Sequence, residues 1–170
     1  MKKRTGKRIL KITIKRMIDE SPDTSWLGEY SQRSTSEFSI YRDSAIGRNE
    51  YRYFNPSFNY VDNNGQVLPE YTAEQVRKYV RQDYERMESL NRGDWCFIGV
   101  VAEAEVWNPK TQVVQKIHSG GLWGIESDSE EGYIKEEENN QLAELRTELL
   151  AYGFRSRAIS KAFENVEHKG

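Results

Sequence analysis

The sequence predicts an α+β fold: an antiparallel sheet of about four to five strands, packed by one central helix and two C-terminal helices. Three patterns carry that prediction. Leu10, Ile12 and Ile14 alternate with Lys11, Thr13 and Lys15, the period of a half-buried strand. Val76, Val80, Tyr84, Met87 and Leu90 recur at helical spacing. Two β-rich runs, 94–107 and 111–118, flank Asn108-Pro109-Lys110, where proline pre-sets a turn. With 170 residues, 36 % of them hydrophobic, the chain is long enough for one domain around one core, so residues 1–170 are read as a single domain.

The elements follow in order. A basic arm, 1–8, is expected to be mobile and leads into a strand over about 8–18. The stretch 20–36, rich in Ser, Thr, Asp and Gly, reads as a long structured loop with Trp26 and Leu27 as anchors. Short β-like runs at 37–42 and 50–54 flank a turn containing Gly47 and Asn49 and predict a hairpin. Two prolines and Asn63-Asn64-Gly65 make 55–70 irregular and exposed. Thr72 with Gln75 is a capping-box pattern that starts a helix over 73–91, which Gly93 ends. In the last third, Asp128 or Ser129 is placed to cap a helix with apolar positions Ile134, Leu142, Leu145, Leu149 and Tyr152, stopped by Gly153. Ser156 then caps a final helix with Ile159, Ala162, Phe163 and Val166 inward, and 164–170 is expected to fray.

Composition limits the setting. Cys96 is the only cysteine, so no internal disulfide can form, and its apolar surroundings suit a small buried thiol. The N-terminal apolar stretch is interrupted by Lys11, Lys15 and Arg16, unlike a signal peptide, and no run approaches the roughly 20 apolar residues of a membrane span. A cytoplasmic location away from membranes is the expectation. Net charge is only -2, yet residues 1–16 hold eight Lys or Arg and no acid, while 126–148 hold nine Asp or Glu against Lys135 and Arg146.

Four constellations are candidates for function. Pairing Trp107 with Gln112 across the predicted central turn sets Glu103 opposite Lys116 and gathers Glu103, Glu105, Lys116 and His118 on one sheet face, opposite a core face of Ile98, Val100, Ala102, Ala104, Val106, Val113 and Ile117. Glu103, Glu105 and His118 are the candidate catalytic or metal-ligating residues, with a carboxylate-rich set suited to Mg or Mn. Cross-strand ion pairing explains the same residues without chemistry, and neither a metal nor a cofactor is expected. Ser119 to Gly124 is a glycine-rich run able to offer backbone donors to an anion, or else a bulge against which Trp123 packs.

The segment from Tyr30 to Tyr71 carries nine of the chain's aromatics among several arginines. Tyr51, Arg52, Tyr53, Phe54, Phe58 and Tyr60 are the candidate partner-binding residues, with core packing as the alternative for half of them. The fourth group is basic: Lys2, Lys3, Arg4, Lys7 and Arg8 of the arm, with Arg155, Arg157 and Lys161 of the last helix, suited to nucleic acid or to the protein's own acidic helix. The run from Leu149 through Gly153 into the last helix has a helix-turn-helix outline that a packed helical corner shares.

Several blocks taken together, Asp19 to Ser31, Glu50 to Pro56, Gln82 to Val106, Ser119 to Ser129 and the closing LLAYGFRSRAISKAF, resemble small proteins carried by phages, prophages and plasmids. The resemblance implies an accessory role in a mobile element, including the countering of host defence, and brings no catalytic residues with it. The functional expectation is therefore a non-enzymatic protein-binding accessory protein. The alternatives are a nucleic-acid-binding protein using the arm and last helix, and a metal-dependent enzyme using the Glu103 face.

Overall fold

The computed structural model describes residues 6–42 and 51–170 and has an α+β fold. Its elements are β1 (Arg8–Ile18), β2 (Gly28–Ser31), β3 (Ile40–Tyr41), β4 (Tyr53–Pro56), α1 (Ala73–Arg92), β5 (Phe97–Asn108), β6 (Val113–His118), β7 (Leu122–Glu126), α2 (Glu131–Ala151), α3 (Ser156–Phe163) and β8 (Val166–Lys169). Where composition suggested one core, the buried side chains form two clusters, and the chain divides into two compact units. One unit combines residues up to Pro22 with Cys96–Gly170; the other is the continuous stretch Asp23–Trp95. That stretch has its own sheet and helix, and so its own apolar surface to bury.

In the first unit a five-stranded sheet runs β6-β5-β1-β8, with β7 also paired to β5. The long β5 is its axis. It pairs antiparallel with β1 along one side, and with β6 and then β7 along the other. Ile12 and Ile14 of β1, alternate residues of β5 from Ile98 to Val106, and Ile117 and Ile125 face one way. They meet Ile134, Leu145 and Leu149 of α2, Phe154, and Ile159 of α3. Period-two strands thus supply one wall of the core and period-3.6 helices the other.

Four sequence expectations are corrected here. The alternation of β1 breaks between Ile9 and Lys11, where Leu10 bulges: Ile9 packs on the core, and Leu10 is 50 % exposed. The β5–β6 turn is centred one residue further along, which slips the pairing by two, so Asn108 pairs with Val113 and Glu103 with His118. Gln112 takes a left-handed φ of 57° to close that turn, and Val113 is carried to the exposed tip. Because the slip is even, no side chain changes face. Residues 166–169 do not fray but form β8, parallel to β1, with Val166 beside Ile12. Helices α2 and α3 start without side-chain caps, so Asp128, Ser129 and Ser156 do not cap them. The C-terminal end of α2 is as expected: Gly153 adopts φ 85°, and Phe154 N–H returns to Leu149 C=O.

In the second unit β2, β4 and β3 form a small antiparallel sheet under α1, with Leu27, Phe38, Phe54, Val61, Val76, Val80 and Met87 buried. β2 lies inside the stretch expected to be a loop. β3 and β4 pair as the predicted hairpin would, and its turn falls outside the described residues. Of 55–70, Asn55 and Pro56 end β4 and are buried, and Val61 bridges Val67. Asn55 takes that place because both ends of its amide are hydrogen-bonded. Its Oδ1 accepts from Thr35 N and Ser39 Oγ, and its Nδ2 donates to Arg33 C=O. Gly28 is required beside it: a Cβ there would stand 2.4 Å from Asn55 O, at φ 133°.

The capping box of α1 has both its bonds, Gln75 N–H to Thr72 Oγ1 at 3.3 Å and Thr72 N–H to Gln75 Oε1 at 2.8 Å. Thr72→Ala is expected to lower stability by about 1 kcal/mol, measured as a shift of the urea midpoint. No shift would mean that the cap is replaced by water without loss.

Candidate functional site

Three surfaces of the first unit bear on function, and the face of β5 opposite the helices comes first. Glu103 stands there, flanked by Lys15 on β1 and by Lys116 and His118 on β6. Its Oε2 lies 2.7 Å from Lys15 Nζ and 3.6 Å from His118 Nδ1, and its Oε1 lies 3.2 Å from Lys116 Nζ. Glu103 is only 4 % exposed. Burial pushes its carboxyl up, but the hydrogen bonds and charges of Lys15 and Lys116 together outweigh that and hold it below the usual range. Such a carboxylate keeps its charge and has no idle oxygen with which to take a proton from a substrate.

Glu105 pairs across the strands with Lys116. The structure therefore brings Glu103 and His118 together and leaves Glu105 as an ordinary cross-strand neighbour. Among the described residues no group of three or more His, Cys, Asp or Glu side chains is placed to hold a metal ion.

Sequence reasoning missed a second ion-pair network on the helix face. Arg16 makes a forked contact with Glu131 (2.7 and 3.1 Å), and its Nε reaches the buried Glu138 at 2.8 Å. His168 of β8 approaches the other oxygen of Glu138 at 3.7 Å. The bonds from Arg16 hold the Glu131 carboxyl below the usual range. Arg16 lies 115 residues from Glu131 and 122 from Glu138 along the chain, so no local pattern announces it.

The glycine-rich run is a connection that its own helix satisfies. Gly120 N–H and Gly121 N–H donate to Glu144 Oε1 and Gln141 Oε1 of α2, both at 2.9 Å, so these donors are not offered to an anion. Trp123 packs over Gly99, where a Cβ would come within 2.2 Å of the ring.

The third surface is a groove of about 680 Å³ along the first half of β1. Its floor is Ile9, Leu10 and Ile12 with Ala158 and Ala162 of α3, and around it stand Lys7, Arg8, Lys11 and Lys161, with no carboxylate in the lining. Lys11 is paired with Glu167, and Lys7 Nζ donates to Tyr152 C=O. No acidic partner engages Arg8 or Lys161 among the described residues. Two groups proposed separately from sequence, the arm and the last helix, thus meet here through Lys7, Arg8 and Lys161. Arg155 and Arg157 are exposed but do not line the groove, and Lys2, Lys3 and Arg4 lie outside the described residues. The apolar pair Ile9-Leu10 was the trace of the bulge in the sequence.

In the second unit the six aromatic-region candidates separate. Phe54 is 0 % exposed, in contact with Tyr30 and Tyr84, and so has no surface to offer a partner. Tyr53 packs edge-on to Tyr41, and Tyr60 stacks among Tyr71 and Tyr79. The Tyr60 hydroxyl is pushed up to about 12, first by burial and then by the nearby Asp83. Only Tyr51, Arg52 and Phe58 are exposed, Phe58 at 74 %.

No family model, curated protein or solved structure matches this chain. Among the described residues no helix is long and apolar enough to cross a membrane.

Proposed function

We propose that this is a non-enzymatic binding protein that acts by holding another protein, with the groove along β1 as its contact surface. The observation that carries the reading is the groove itself: an apolar floor bordered by cations, with Arg8 and Lys161 lacking an acidic partner among the described residues. The engaged state of Glu103 supports the non-enzymatic part of the reading, since both its oxygens are taken by basic groups. The resemblance of several sequence blocks to phage, prophage and plasmid proteins supports an accessory role in a mobile element, with a host defence complex as one class of partner.

A second reading, nucleic-acid binding, draws on the same meeting of Lys7, Arg8 and Lys161. An affinity pull-down from host lysate, with and without nuclease, separates the two. The expected result is a stoichiometric protein partner that survives nuclease and is lost from the double variant Arg8→Glu/Lys161→Glu. Partners that vanish with nuclease favour the second reading, and capture indifferent to the variant overturns the groove as the contact surface.

A further inference from the structure

Strand β8 accompanies β1 only from Ile12 to Lys15. Before Val166 the chain comes off α3, through Glu164 and Asn165, so the lane that β8 would fill if it were longer stands open beside Arg8–Lys11. On its other side this part of β1 is paired with β5, from Trp107 to Glu105. Facing the lane, no strand lies beside Arg8–Lys11 among the described residues. Backbone N–H and C=O groups on such an edge are the template on which another extended chain adds. The open length, four residues, spans about 13 Å. It coincides with the groove, whose far wall, α3, is kept low there by Ala158 and Ala162.

From this geometry we infer that the groove takes an extended acidic segment of the partner protein, added as a strand to the open edge of β1. The inference rests on the reading given above and names the partner's chemistry. Alternate side chains of an added strand point to opposite faces. One set would lie on Ile9, Ala158 and Ala162, which asks for small apolar residues; the other would stand among the cations, which asks for Asp or Glu.

Two other occupants fit less well. A second copy pairing edge to edge would set Lys and Arg against Lys and Arg, and like charges directly opposite are destabilising. The edge cations are one of the devices that keep strand edges from pairing with their own copies. A nucleic acid would meet the cations but has no peptide groups to complete a strand ladder.

The test is fluorescence anisotropy with a labelled short peptide of alternating valine and glutamate, its copy N-methylated at alternate amides, and single-stranded DNA of equal charge. Saturable binding of the plain peptide is expected. N-methylation should weaken it about tenfold, because main-chain bonds are lost while the charge is unchanged. Arg8→Glu/Lys161→Glu should also weaken it, with an unchanged circular dichroism spectrum as the check on folding.

Equal binding of the N-methylated peptide, tighter binding of the DNA, or no peptide binding overturns the strand-addition inference. If groove-dependent capture of a protein partner persists in that case, the proposed function stands without it. If capture is also indifferent to the groove variant, both fall together.

Discussion

Replacing Phe54 with alanine is expected to destabilise the protein by about 3–5 kcal/mol, the cost of emptying a large aromatic site in a close-packed interior. The ring has no exposure, meets Tyr30 at 5.5 Å and Tyr84 at 5.4 Å between centroids, and lies among Leu27, Val76 and Val80. Close packing around it is shown by Gly28, where even a methyl group would come within 2.7 Å of the Phe54 ring. The loss should appear as a lower urea midpoint for the second unit. Phe58→Ala, at the 74 % exposed position four residues on, should change stability by no more than about 0.5 kcal/mol. A stable Phe54→Ala variant that no longer captures a partner would reverse the assignment and return Phe54 to the contact surface.

Glu103→Gln is expected to lower stability at neutral pH by about 2–3 kcal/mol. Breaking a fully buried ion pair costs roughly 3–5 kcal/mol because a charge is left without its counterpart. Here Lys15, Lys116 and His118 are partly in water, with side chains 25 %, 54 % and 49 % exposed, so hydration recovers some of that. The pH dependence has a definite sign. The folded carboxyl is held below its ordinary 4.5, so its contribution is fully present above the unfolded value and is lost as pH falls through the folded one.

The gap between parent and variant should therefore be widest near neutrality and narrow as pH falls below the ordinary carboxyl range, followed by urea midpoints at several pH values. Glu131, Asp23 and Asp62 are also held low and will leave the variant a residual acid sensitivity. A gap that stays constant with pH would show that Glu103 contributes by shape, not by charge.

Much of the local architecture was legible in the residues. Helix α1 was readable from cap to cap because Thr72, Gln75 and Gly93 act within one turn of its ends, and β1 because its alternation is local. The Glu103 face was legible too, since a hairpin slip of two residues leaves every side chain on its face, although Glu103 meets His118 and not Lys116 directly across the strands. What failed was non-local. Phe54 reads the same in an exposed aromatic loop as in a core, and only α1 lying over β4 decides between them. β8 looked like a tail because a short polar strand forms only where β1 is already waiting.

The sequence by itself thus determined the α+β class, the helices, the central hairpin and the charged face of β5, all of which follow from periodicity and turn chemistry acting over a few residues. The tertiary structure alone decided the two cores, the Arg16 network, and the groove in which the start of β1 meets α3. Those depend on which distant segments lie side by side, and no spacing along the chain records that.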